Sequence, residues 1–168
     1  MLDLKNQIRS AVDASRARII AIAEQILHHP ELGYREFQAS KLMRGLFIEL
    51  GLPVQENLAI TGCRAVLDSG RPGPTVALLG EFDALPVPTH PLADPSTGAA
   101  HACGHHAQSA ALAGAAIALT ASKAIEKLSG KIVFIACPAE EFQALDFCRK
   151  LIAEKKLVYC GGKAELIR

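Results

Sequence analysis

The chain has 168 residues; half are apolar, 21% are charged, and the formal net charge is +1. This composition excludes a disordered or low-complexity chain, because the apolar fraction can offset the entropy of ordering; the near-zero charge and the lack of tryptophan exclude a platform for nucleic acid or an anionic membrane surface. Five cysteines, an odd number without CxxC spacing, suit free thiols in a reducing cytoplasm, and no signal core or membrane-length apolar run is read in the sequence.

The length fits one domain. Leu4, Ile8, Val12, Ser15, Ile19, Ile22 and Ile26 recur every three or four residues and predict one long helix ending at His29-Pro30. Ala39, Leu42, Met43, Leu46, Phe47 and Leu50 predict a second helix, stopped by Gly51 and Pro53. Segments 63–67 and 75–79 read as strands, and the turn-rich stretch 69–74 between them suggests a hairpin. Residues 86–102, with four prolines, read as a long loop, and the Ala- and Leu-rich residues 105–120 as a helix. Residues 131–136 (KIVFIA) form a short strand apolar enough to be buried on both faces. Residues 143–156 read as a helix with Leu145, Cys148, Leu151 and Ile152 toward one side. The closing GGKAELIR (161–168) reads as a glycine turn opening a further amphipathic helix with nothing after it to pack against, as if the unit were cut. Strand 75–79, helix 105–120 and strand 131–136 together fit a right-handed crossover in a parallel sheet.

Three clusters carry candidate chemistry: GEFDALP (80–86), HACGHH (101–106) and PAEE (138–141). The first and third directly follow the two parallel strands, where ligand sites gather in open α/β sheets, and the second opens the helix joining them. Cys103 and His105, two apart, point to one side of an extended segment and can share a metal ion; thiolate, imidazole and carboxylate together suit zinc or a similar divalent ion. Taken alone, the pair reads more readily as a buried small thiol and a cap or surface histidine beside a helix start. Adjacent Glu140 and Glu141 point to opposite sides of a loop, so one can hold a metal while the other acts as general base; alone they would be a solvated helix N-terminus. Asp83 reads as a carboxylate orienting a metal-binding histidine, or as a plain strand-end cap.

At these residues the sequence resembles the amidohydrolase (hippurate hydrolase, N-acyl-amino-acid hydrolase) branch of the dinuclear-metal aminoacylase/carboxypeptidase superfamily. The matching stretches are HHPELGYREFQAS (28–40), LLGEFDALP (78–86), HACGHHAQSAALAGAAIAL (101–119), VFIACPAEE (133–141) and GGKAELIR (161–168), in the family's order. The resemblance implies part of a three-layer αβα zinc-exopeptidase-like catalytic domain with a mainly parallel central sheet. It implies metal-dependent hydrolysis of an amide bond in N-acyl amino acids or peptide-like small molecules, with two zinc or manganese ions per intact site. By position it makes Cys103, His105 and Glu141 metal ligands, Glu140 the general base and Asp83 the orienting acid. Position 106, usually Asp or Asn in that branch, is His106, which leaves its role open. Residues 142–160 read as an insertion, and the family's later metal-binding histidines, the rest of its sheet and its lid or dimerisation domain have no counterpart here. The chain thus resembles the N-terminal part of such an enzyme. Two other readings stay open: Cys103 as a nucleophile with His105 as its base, and a non-catalytic remnant that binds a metal or a partner chain, a second copy included, through an unpaired sheet edge.

Overall fold

The computed structural model describes residues 2–141 and 144–167. The chain opens with α1 (Leu2–Ala14) and α2 (Arg16–Leu27), two helices where the periodicity predicts one. They part at Ser15, whose φ of −98° and ψ of 4° leave helical geometry for one residue. Ser15 makes no side-chain cap, so no capping motif announces the break. Helix α3 (Phe37–Glu49) follows and buries Ala39, Met43, Leu46 and Phe47, the face its spacing predicts. Next come β1 (Val54–Leu58), β2 (Gly62–Asp68) and β3 (Thr75–Glu81), then the paired two-residue strands β4 (Leu85–Pro86) and β5 (Ala99–Ala100) within the proline-rich loop. Helix α4 (His105–Ala121) leads through a 3-10 turn (Ala124–Lys127) to β6 (Lys131–Cys137); α5 (Leu145–Ala153) and α6 (Gly162–Leu166) close the chain. The first predicted residue of the helix over 143–156, the first two of the insertion and Arg168 lie outside the described residues.

The main sheet runs β1-β2-β6-β3 and is mixed. Strands β3 and β6 are parallel neighbours in register from Thr75↔Lys131 to Glu81↔Cys137, joined through α4, which packs on β3. This is the crossover that the strand–helix–strand order predicts. The hairpin expected from segments 63–67 and 75–79 does not form: β6 inserts between β2 and β3, antiparallel to β2. The turn between them is what makes room. Ser69 N–H donates to the Gly130 carbonyl, Gly130 N–H to Arg71 and Lys131 N–H to Pro74, so the segment clasps the start of β6 instead of closing on itself. Arg71 fastens the same corner by donating to the carbonyls of Ile125, Glu126 and Leu128. A strand as apolar as β6 gains a neighbour on each edge by this arrangement.

One face of the sheet presents Cys63, Ala65, Leu67, Phe134 and Ala136 to α2, α3 and α4, with Ala113 and Ala116 of α4 fully buried in the same core. The other face is only partly covered. Val133 and Ile135, expected inside, are half-buried, and Leu79 is exposed. In α5, Cys148 and Leu151 are buried as predicted, but Leu145 and Ile152 face outward. Among the described residues, no helix is long and apolar enough to cross a membrane.

Candidate metal centre

The parallel pair sends β3 and β6 to the same rim, so Asp83 and the Glu140–Glu141 pair emerge side by side. Helix α4 starts beside them because Gly104, at φ +91°, makes a left-handed turn that a side chain would strain, and His105 is its first residue. Gly80 lets the strand lie close to α4: a Cβ there would stand 3.0 Å from the Leu112 Cβ. Ser109, one turn into α4, ties the two together by donating to the Glu81 carbonyl at 2.7 Å.

His105 is buried at the centre of the rim. Its Nδ1 lies 3.0 Å from Asp83 Oδ1 and 2.9 Å from the Asp83 carbonyl, so Nδ1 carries the hydrogen and Nε2 is left to face the acids. Around Nε2 stand Glu81 Oε2 at 3.2 Å, Glu141 Oε1 at 3.4 Å and Glu140 Oε2 at 3.7 Å. Burial works to lower the imidazole pKa, but the Asp83 hydrogen bonds and the charges of Asp83 and Glu81 outweigh it and raise it. Asp83 is itself buried, and its second oxygen accepts the Glu141 N–H at 2.9 Å, so one carboxylate sets both the imidazole and the glutamate loop. The Cys103 thiol is exposed beside Glu141, whose hydrogen bond, with the surrounding carboxylate charge, pushes it up to about 11. A divalent cation at this point would reverse that balance and favour the thiolate.

The structure brings all five predicted residues to one place. Donor atoms of Cys103, His105 and Glu141 lie within 4.8 Å of one another, as do those of a second group, Glu81, His105 and Glu140. Mixed thiol, imidazole and carboxylate donors with a pre-set imidazole fit a divalent transition metal. His106 belongs to neither donor group; its ring lies beside that of His101, centroids 5.5 Å apart. Burial, then the charge of its neighbours His106 and His105, pushes His101 down to about 4, which keeps it neutral. Neither His101 ring nitrogen finds a partner of ordinary hydrogen-bond geometry; the Ile26 carbonyl comes near without meeting it.

Three contributors escape the sequence reading. Glu81 stands two residues before Asp83 on extended chain, the same alternation that pairs Cys103 with His105, so its signal was available. Lys163, from α6, reaches Glu140 Oε1 at 3.0 Å and also binds Glu81 Oε1; these two hydrogen bonds, Glu81's first, raise its pKa. Glu36 is buried under the glutamate loop, accepting from Thr61 Oγ1 at 2.6 Å and from the Ala139 N–H at 2.8 Å. Nothing local in the sequence marks the last two.

The chain is similar to known proteins over most of its length. The model for Peptidase family M20/M25/M40 matches residues 77–162, just over half of the chain and all three acidic, cysteine and histidine clusters. Thermostable carboxypeptidase 1 of Saccharolobus solfataricus is 36% identical over 153 residues, covering 89% of this chain and 37% of that protein. N-acetyl-L-cysteine deacetylase of Bacillus subtilis is 34% identical over 127 residues, covering 74% of this chain and 30% of that protein. Among solved structures, the YXEP protein of Bacillus subtilis, described as a dinuclear metal binding peptidase, superposes with a TM-score of 0.68 at 30% identity, over 86% of this chain and 40% of that one. The chain spans little more than a third of the length of the curated relatives it matches first.

Proposed function

The chain belongs to peptidase family M20/M25/M40, and from that premise we propose that it is the N-terminal part of the catalytic unit of a metal-dependent hydrolase that cleaves the amide bond of N-acyl amino acids or related small amides. Cys103, His105 and Glu141 hold a divalent ion, zinc or manganese, with the thiolate favouring zinc. A bound ion of this kind supplies Lewis-acid polarisation of a carbonyl and a lowered pKa for water. Asp83 keeps the hydrogen on Nδ1 and so presents Nε2 as the donor atom. Glu140 is the general base: its Oε2 faces the His105 side of the rim, where it takes a proton from the attacking water and returns it to the leaving amine nitrogen. The five free thiols suit a cytoplasmic location.

The observation that carries this reading is the convergence of Cys103, His105 and Glu141 on one side of an imidazole whose other nitrogen is already held. The rival in which Cys103 attacks with His105 as base fits less well, because the imidazole is committed to Asp83 and the carboxylates while the thiol bonds to Glu141. Cobalt(II) tests the assignment directly. The purified chain should show a thiolate-to-cobalt charge-transfer band that Cys103→Ser abolishes, with Cys160→Ser as the control that keeps it. A band of equal strength in Cys103→Ser removes Cys103 from the site.

A further inference from the structure

The two donor groups at the rim overlap in a single residue. His105 belongs to both, and its Nδ1 is bonded to Asp83, so Nε2 is the one lone pair it can offer. An ion that takes Nε2 together with Cys103 and Glu141 leaves Glu81 and Glu140 without the imidazole. These two carboxylates already have a cation between them. The Lys163 ammonium binds Oε1 of both, at 3.0 Å from Glu140. Glu81 is buried, and Lys163 is the cation paired with it there.

The placement of that ammonium is built into the backbone. Gly162 N–H donates to the Ala139 carbonyl at 3.0 Å, and Gly162 sits so close to Pro138 that a Cβ would stand 1.7 Å from the Pro138 carbonyl oxygen. Helix α6 is therefore docked on the segment that carries Glu140 and Glu141, and Lys163 is the next residue. It holds Oε1 of Glu140 while Oε2 remains turned toward His105.

We infer that the described residues hold one divalent ion, not two, and that Lys163 is a resident second cation occupying the position between Glu81 and Glu140 that a second ion would otherwise take. The inference rests on the metal-centre reading above and departs from the two ions the family resemblance implies. It makes Lys163 a positioning residue for Glu140, acting where the dinuclear arrangement would use a metal.

Metal stoichiometry tests it independently of activity. The chain, stripped with a chelator, is titrated with zinc(II) in a calorimeter, and the metal retained after desalting is measured by elemental analysis. Wild type should bind one equivalent. Lys163→Met should bind two, with the second at least tenfold tighter than any second event in wild type, while Lys163→Arg should stay at one. Adding Glu81→Gln to Lys163→Met should return the count to one. Lys163 is 47% exposed, so these variants leave the core untouched. Two tightly held ions in wild type, or one in Lys163→Met, would overturn the inference and leave the metal-centre reading standing. No ion bound by wild type would overturn both.

Discussion

Glu36 lies fully buried between Thr61 and the amide of Ala139, 103 residues before that alanine and the glutamates that follow it. Burial, the largest influence, pushes its carboxyl up to about 7, against the opposing pull of the Thr61 and Ala139 hydrogen bonds. Above the unfolded value near 4.5, the folded chain keeps a proton that the unfolded chain has lost. Stability from this group is therefore full below pH 4.5 and is lost as pH rises through 7. Glu36→Gln keeps an acceptor for the Ala139 N–H and cannot ionise, so its urea midpoint should stay flat where wild type falls between pH 4.5 and 7. The difference across that window should be on the order of 3 kcal/mol; parallel profiles would mean that Glu36 is ionised throughout. At this scale the sequence was legible where residue types are rare and clustered. Cys103, His105, Asp83, Glu140 and Glu141 could be read as neighbours because each sits next to a strand end or helix start. Glu36 and Lys163 could not, since each reaches the rim only through tertiary packing.

Local signals identified the elements better than their neighbours. The stretch 69–74 has the glycines and prolines of a hairpin turn, but those residues state only that the chain reverses, not what lies between the two arms. Strand β6, which begins only at Lys131, decides that. Strand β1 escapes for a different reason: its exposed centre, Gln55 to Asn57, shows no alternation to read. The closing glycine turn was legible as a helix start, and the structure adds why the second glycine is required. Gly162→Ala drives a Cβ into the Pro138 carbonyl, so α6 must lift off the glutamate loop. The expected cost is about 1–3 kcal/mol, seen as a lower urea midpoint. Gly161→Ala is the control. Its φ of −95° suits any residue and nothing lies within 4 Å of an added Cβ, so its midpoint should move by less than about 0.5 kcal/mol. Equal losses in the two variants would mean that the Pro138 contact does not hold α6.

At the scale of the molecule, the helices α2 to α4 cover one side of the sheet, while the other side leaves Val133 and Ile135 half-buried and the edge strand β3 exposes Val76 and Leu79. The rim is thus well ordered from behind, through Asp83, Ser109 and Glu36, and open in front. Hydrolysis needs more than a held ion: the amide carbonyl must sit within reach of both the ion and the attacking water, and that positioning supplies a large part of any enzyme's rate. Among the described residues, the proposed centre would commit the donors around Nε2 to the ion, to proton transfer or to Lys163, which leaves few groups to orient an acyl amino acid. The 168-residue chain, supplied with zinc, manganese or cobalt, should therefore turn over acetyl- and benzoyl-amino acids far more slowly than about 1 per second, an ordinary enzyme rate. The assay is read beside Glu140→Gln, which keeps the shape of the site and removes the base. A rate near or above that value which disappears in Glu140→Gln would overturn the expectation. It would mean that the rim and its single imidazole suffice to position substrate, with Lys163 serving at the second cation position during turnover.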